Sequence, residues 1–198
     1  EPLRLIPNEP IGLYVGVLTV VAPIHLTYSE VGIMIPVMRG ETLGVYVPYM
    51  YLDSSPAIAA GREIWGFPKK EAEIGLSEEG GAISAIVRRN GSLLMKAAVQ
   101  VGPKVEPIPE TPDVPWFNLK IIPSVKRGAR PDVQQLTSTV MTSHTTELRQ
   151  GPATLELASS ELDPLGDIPV VEVVGGQWTV SDMILDCGDV AVDYLAQR

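Results

Sequence analysis

The chain has 198 residues, 45% of them hydrophobic, and a formal net charge of −9. That is enough to bury one substantial core, while an acidic balance with no basic stretch interleaved with aromatics argues against a nucleic-acid partner. The single cysteine, Cys187, excludes an intrachain disulfide framework and fits a cytoplasmic setting, and no apolar run approaches the roughly 20 residues of a membrane-spanning helix, so no membrane partner is expected.

Eighteen prolines and eighteen glycines, spread along the chain, disfavour long helices. Segments rich in Val, Leu, Ile and Tyr predict strands over 12–21, 31–37 and 43–51, the last two separated by Arg39-Gly40-Glu41. A short helix follows, with Ser55 as cap, Pro56 in the first turn, Gly61 weakening its middle and Gly66 as stop. Strands are predicted over 70–76 and 81–88, and over 93–101 after the hairpin signal Asn90-Gly91. The stretch Pro103–Pro115 holds five prolines and reads as a rigid surface crossing, with a lid as the alternative. Strands over 117–123, 133–147 and 153–157 follow, and 178–185 fits either a strand or a short helix. Many short strands with frequent turns predict a mainly β fold with a few short helices, an antiparallel barrel or sandwich rather than a doubly wound sheet. One domain over 1–198 is expected; because the chain opens Glu-Pro-Leu without methionine, there is room for a missing N-terminal segment.

Lys69 and Lys70 stand side by side behind Trp65, Phe67 and Pro68 in a chain with six lysines. An amine beside another cation or in an apolar surround loses its proton more readily, and a neutral lysine amine attacks a carbonyl carbon to form a Schiff base. A surface pair offset by Glu71 and Glu73 is the plainer reading. Strand alternation groups Lys70 with Ala72, Ile74 and Leu76, and Lys69 with Glu71 and Glu73. An apolar interior would take Lys70 and a polar cavity Lys69; periodicity does not choose.

Glu30, in Tyr28-Ser29-Glu30 between two apolar segments, can move a proton from a strand end or serve as a solvated turn acid. Arg62 can orient a substrate carboxylate and Glu63 a lysine, or both can bridge the helix to neighbouring strands. Tyr28, Trp65 and Phe67 can line an apolar pocket or support the core. His25 and His144 lie too far apart in sequence to suggest a metal centre, and neither HExxH nor paired cysteine ligands occur. Glycine-rich nucleotide fingerprints are absent as well, so no cofactor is expected.

The stretch Tyr49-Met50-Tyr51-Leu52-Asp53-Ser54-Ser55-Pro56-Ala57-Ile58-Ala59-Ala60-Gly61-Arg62-Glu63, followed by Phe67-Pro68-Lys69-Lys70, resembles the acetoacetate decarboxylase family. So do Asn118-Leu119-Lys120-Ile121-Ile122-Pro123, Gly151-Pro152-Ala153-Thr154-Leu155, Asp163-Pro164-Leu165 and Ile168-Pro169-Val170, in the family's order and over most of the chain. The resemblance implies an antiparallel, barrel-like β fold and a large homo-oligomer. It also implies Lys69 as the Schiff-base lysine, Lys70 as its cationic neighbour and Glu30 as an acid/base or charge-positioning group. Two departures accompany it: a further site glutamate of the family falls where this chain has Leu13-Tyr14-Val15, and an upstream arginine would lie before Glu1.

The implied activity is decarboxylation of a small β-keto acid such as acetoacetate, with the lysine imine as electron sink in place of a metal or organic cofactor. The alternative is a Schiff-base aldolase or dehydratase acting on pyruvate or another 2-oxo acid, in which Tyr14 and Glu30 would handle the proton. A barrel that binds a small acid without catalysis is the third reading.

Overall fold

The computed structural model describes residues 2–21, 25–106 and 114–196. In chain order the elements are β1 (Leu3–Leu5), β2 (Gly12–Val20), β3 (Leu26–Arg39), β4 (Thr42–Leu52), α1 (Ser55–Ala60), a π-turn (Gly61–Trp65) and β5 (Lys69–Glu71). Then come β6 (Glu73–Glu79), β7 (Ala82–Arg89), β8 (Ser92–Gln100), β9 (Lys104–Val105), β10 (Pro115–Ile122) and β11 (Val133–Gly151). The last are β12 (Ala153–Leu157), β13 (Ser159–Ser160), β14 (Asp163–Pro164), a 3-10 turn (Leu165–Asp167), β15 (Gly176–Leu185) and β16 (Asp189–Asp193). The mainly β class with short helical pieces is therefore observed, and 178–185 is strand. Of the proline-rich crossing, residues 107–113 lie outside the described residues.

Two compact units emerge, each assembled from separated stretches: Glu1–Lys70, Pro112–Thr142 and Ile184–Arg198 in the first, Glu71–Thr111 and Ser143–Met183 in the second. In the first unit, β2–β3 and β3–β4 are antiparallel pairs and β10 joins β4 in parallel. Side-chain alternation feeds two clusters: Val37, Phe117 and Leu136 in one, Val47, Met50 and Phe67 in the other. Neighbours divide accordingly, Tyr46 packing on the first cluster and Val45 and Trp116 on the second. The β3–β4 register shifts between Ile33 and Ile35, opposite the stretch of β4 containing Pro48, whose missing N–H suits a break in the ladder.

The second unit contains the antiparallel sheet β12-β8-β7-β6. Asn90 (φ 51°) and Gly91 (φ 77°) make the left-handed turn that the Asn-Gly signal predicts between β7 and β8. Val87, Leu94, Met95 and Leu165 are fully buried there, and Arg89 Nη1 meets the buried Asp163 carboxylate at 2.7 Å.

The expected barrel does not form. The ten-stranded sheet follows the order β1-β3-β4-β10-β11-β15, with β2 also on β3, β5 on β4, and β9 and β16 on β11. Among the described residues no pairing joins the two ends of that path, so no sheet closes. Long strands serve successive partners along their length instead: one flank of β3 meets β2 over Leu26–Met34 and then β1 over Val37–Arg39. Turn frequency and strand length leave barrel and sandwich open and do not distinguish a closed sheet from this branched one, and the barrel that the family resemblance implies is not formed.

Two local expectations also change. The N-cap is Ser54, not Ser55; its side chain makes no capping bond, and its buried hydroxyl has no hydrogen-bond partner among the described residues. Strand β3 begins at Leu26 rather than near Val31, which places Glu30 within a strand rather than at a turn.

Candidate active site

The site begins with main-chain geometry. Pro56, compatible with a helix start, opens α1, and the helix widens into the π-turn at Gly61. Gly66, at φ 80°, ends it, and the N–H groups of Gly66 and Phe67 both donate to the Gly61 carbonyl. Two residues on, the Lys69 N–H donates to the Phe67 carbonyl at 2.8 Å, and Arg62 Nη1 donates to the Lys69 carbonyl at 3.2 Å. This compact turn delivers Lys69 to the start of β5, on the edge of β4.

The lysine stem lies against bare backbone. A Cβ on Gly61 would sit 2.5 Å from Lys69 Cδ and 2.6 Å from Cε. Gly61 itself has φ −62° and ψ −40°, ordinary helical values, so glycine is required by the space and not by the dihedral.

Lys69 Nζ donates to Glu30 Oε2 at 2.7 Å, with both side chains more than nine-tenths buried. The second carboxylate oxygen is also held: Tyr14 donates its hydroxyl to Glu30 Oε1 at 2.5 Å. Tyr14 stands opposite Gly32 in the β2–β3 register, where any Cβ would overlap its ring. Glu30 is framed further by Asp53, whose Oδ1 accepts the Ser29 N–H at 2.8 Å. The rings of Tyr28 and Phe67 each lie with their centroid 5.6 Å from Lys69 Nζ, within cation–π range. Trp116 completes the apolar surround, edge-on to both Tyr14 and Phe67.

Burial, then the Glu30 charge, pushes the Tyr14 phenol well above its ordinary range, and the same two causes lift Tyr28 to about 12. Tyr14 is therefore a protonated donor toward a carboxylate acceptor.

The structure thus brings together Lys69, Glu30, Tyr14, Tyr28 and Phe67. It does not bring in the rest of the sequence-predicted set. Strand alternation turns Lys70, half-buried, to the other face of β5. Arg62 is exposed and its guanidinium is engaged with the Lys69 carbonyl, and Glu63 is exposed. Trp65 is an anchor: its indole N–H donates to the Asp186 carbonyl at 2.9 Å, and its own carbonyl accepts the Thr137 hydroxyl at 2.6 Å. No cluster of His, Cys, Asp and Glu able to hold a metal occurs among the described residues. Sequence reasoning missed Gly61 and Gly32 as site-forming positions; an isolated glycine within a helical or strand pattern is the available signal for such close approach.

A buried primary amine paired with a carboxylate and walled by aromatics suits carbonyl chemistry through an imine. The class the fold and site define is a mainly β protein with an imine-capable lysine. The sequence profile of acetoacetate decarboxylase matches residues 1–195, and the chain belongs to the acetoacetate decarboxylase family. It is 36% identical over 201 residues to an acetoacetate decarboxylase of Burkholderia ambifaria, covering 100% of this chain and 80% of that protein. An acetoacetate decarboxylase of Acidiphilium cryptum is 39% identical over 179 residues, covering 85% of this chain and 70% of the other. The crystal structure of acetoacetate decarboxylase from Legionella pneumophila superposes with a TM-score of 0.78 at 33% identity, covering 86% of this chain and 69% of that one.

Two outcomes are expected from this geometry. Gly61→Ala fits the helical backbone but displaces the Lys69 stem; borohydride trapping of a small ketone at Lys69 should slow by about 100-fold in protein that remains folded. An unchanged trapping rate would show that the stem is not confined as described. Tyr28 binds its proton more tightly in the folded state than in the unfolded chain, whose value is 10.0. Its contribution to stability is therefore complete below pH 10 and lost as the pH rises toward about 12. Denaturation across that window should show Tyr28→Phe losing less stability than the parent; parallel losses would refute the assignment.

Proposed function

We propose that this protein decarboxylates a small β-keto acid of the acetoacetate type through an imine on Lys69. The observation that carries this reading is the buried Lys69–Glu30 contact at 2.7 Å within an aromatic surround, in a chain of the acetoacetate decarboxylase family.

The free amine is the nucleophile, so a proton must leave Nζ, and Glu30 Oε2 is the acceptor in contact with it. Attack on the ketone carbon gives a carbinolamine; Glu30 returns the proton to its hydroxyl, and departure of water leaves a protonated imine. The bond to the carboxylate then breaks. Its electron pair forms a C=C bond to the imine carbon as the C=N π pair moves onto nitrogen, so carbon dioxide leaves and an enamine remains. Protonation at carbon restores the imine, and water hydrolyses it to the ketone and free Lys69. Tyr28 and Phe67 keep the reacting centre poorly hydrated.

Aldol or dehydration chemistry on a 2-oxo acid starts from the same imine and remains the second reading, favoured by the Tyr14 hydroxyl poised on Glu30. Borohydride reduction with acetoacetate and, separately, pyruvate, followed by intact mass and peptide mapping, discriminates. The expected result is an adduct at Lys69, one carboxyl group lighter than the acetoacetate imine, with carbon dioxide released and no adduct in Lys69→Ala. An unsaturated condensation product from pyruvate without loss of carbon dioxide from acetoacetate would favour the second reading. An adduct at Lys70 would overturn the assignment of the nucleophile, and reversible binding without an imine would indicate a non-catalytic role.

We further propose a homo-oligomer. β15 is exposed along almost all of its length although it carries Trp178, Val180, Met183, Ile184 and Leu185, and Val171 and Val174 are exposed as well. Apolar surface of this extent is ordinarily covered by a partner. Light scattering on the eluting protein should return a multiple of the 21.3 kDa chain mass; a monomer at micromolar concentration would exclude the proposal.

A further inference from the structure

Glu30 is a carboxylate with both oxygens committed, and the two commitments differ in kind. Oε2 faces the Lys69 amine, which reacts; Oε1 accepts from Tyr14, which lies on a different strand and makes no covalent change in the reaction above. The phenol keeps its proton, and its ring is locked between the Gly32 backbone and the Trp116 edge.

The chemistry gives this second contact a task. An ammonium presents three N–H donors and tolerates rotation, but a protonated imine presents one. That single N–H lies in the plane of the C=N bond, so its acceptor sets the orientation of the plane. The bond to the departing carboxylate must stand nearly perpendicular to that plane for its electron pair to enter the C=N system. An acceptor free to rotate would leave the imine in several orientations, few of them productive.

We infer that Tyr14 is a positioning residue for the cleavage step: its hydroxyl holds Glu30 Oε1 so that Oε2 alone fixes the plane of the imine formed on Lys69. The inference rests on the decarboxylation proposed above. Its electron balance is that of the step already given: the carbon–carbon pair becomes the enamine C=C, the C=N π pair moves to nitrogen, and no oxidant or reductant is involved. The groups facing Glu30 are Tyr14 from β2, Tyr28 from its own strand and Lys69 from β5.

Tyr14→Phe removes one oxygen and keeps the ring. Gly32→Ala keeps the hydroxyl and displaces the ring, giving an independent route to the same defect. In both variants kcat for acetoacetate should fall roughly 10-fold to 100-fold with KM nearly constant. Borohydride should still trap an adduct at Lys69, but the adduct should shift from the form that has lost its carboxyl group toward the form that retains it. A residue that only supports packing would not change that ratio. Unchanged kcat in Tyr14→Phe, or a fall in kcat with the adduct ratio of the parent, overturns the inference while leaving the proposed function standing. Absence of any adduct in the parent protein overturns both.

Discussion

Two opposite charges withdrawn from water define this molecule. Lys69 and Glu30 meet at 2.7 Å where neither is appreciably hydrated, and a buried pair is tolerated only when its remaining hydrogen-bonding capacity is met. Tyr14 satisfies the far oxygen of Glu30, while the rings of Tyr28 and Phe67 face the amine. Loss of one partner from such a pair generally costs about 3–5 kcal/mol, because an uncompensated charge is left inside. The surrounding strands are therefore arranged about a contact that is expensive to place there, which is weak as a device for stability and useful as one for reactivity.

Backbone does most of the placing. β3 brings Glu30 and Gly32 into one strand, β2 sets Tyr14 opposite Gly32, and the π-turn folds back so that Gly61 lies along the Lys69 stem. Two missing Cβ atoms open the room in which a phenol ring and an alkylamine sit. The tether from Arg62 to the Lys69 carbonyl and the bond from Ser29 to Asp53 hold the two ends of the ion pair from outside.

Much of this was readable in the sequence. Alternating apolar runs mark most of the principal strands, and left-handed conformations that other residues avoid let Asn90-Gly91 mark the β7–β8 turn and Gly66 the helix end. The lysine pair stands out because lysines are scarce, and the family resemblance rests on the blocks around it together with those from Asn118 to Val170. Other features depended on tertiary context. Glu30 resembles a turn acid until its partners on β2 and β5 are known, since nothing local makes a carboxylate suitable for burial. Strand alternation left Lys69 and Lys70 undecided, because the choice depends on whether the interior is apolar or holds a carboxylate. Trp65 has the composition of a pocket residue, yet its indole N–H and its carbonyl are used as struts. Sheet closure is not legible in the sequence, because strand length and turn spacing say nothing about which edges meet. The two compact units, woven from separated stretches, leave no compositional boundary to detect.

The bare backbone beneath Lys69 separates two properties that enzymes often entangle. Where a nucleophile is wedged by neighbouring side chains, any change made to admit a different substrate also moves the reacting atom. Here the alkyl stem rests on the main chain at Gly61, and the peptide of Lys69 is tied by its own hydrogen bonds. Tyr28, half-buried beside the amine, can then be exchanged for a smaller or more polar residue with little displacement of the nitrogen. A scaffold of this kind lends itself to diversification, with substrate range as the variable and nucleophile position as the constant.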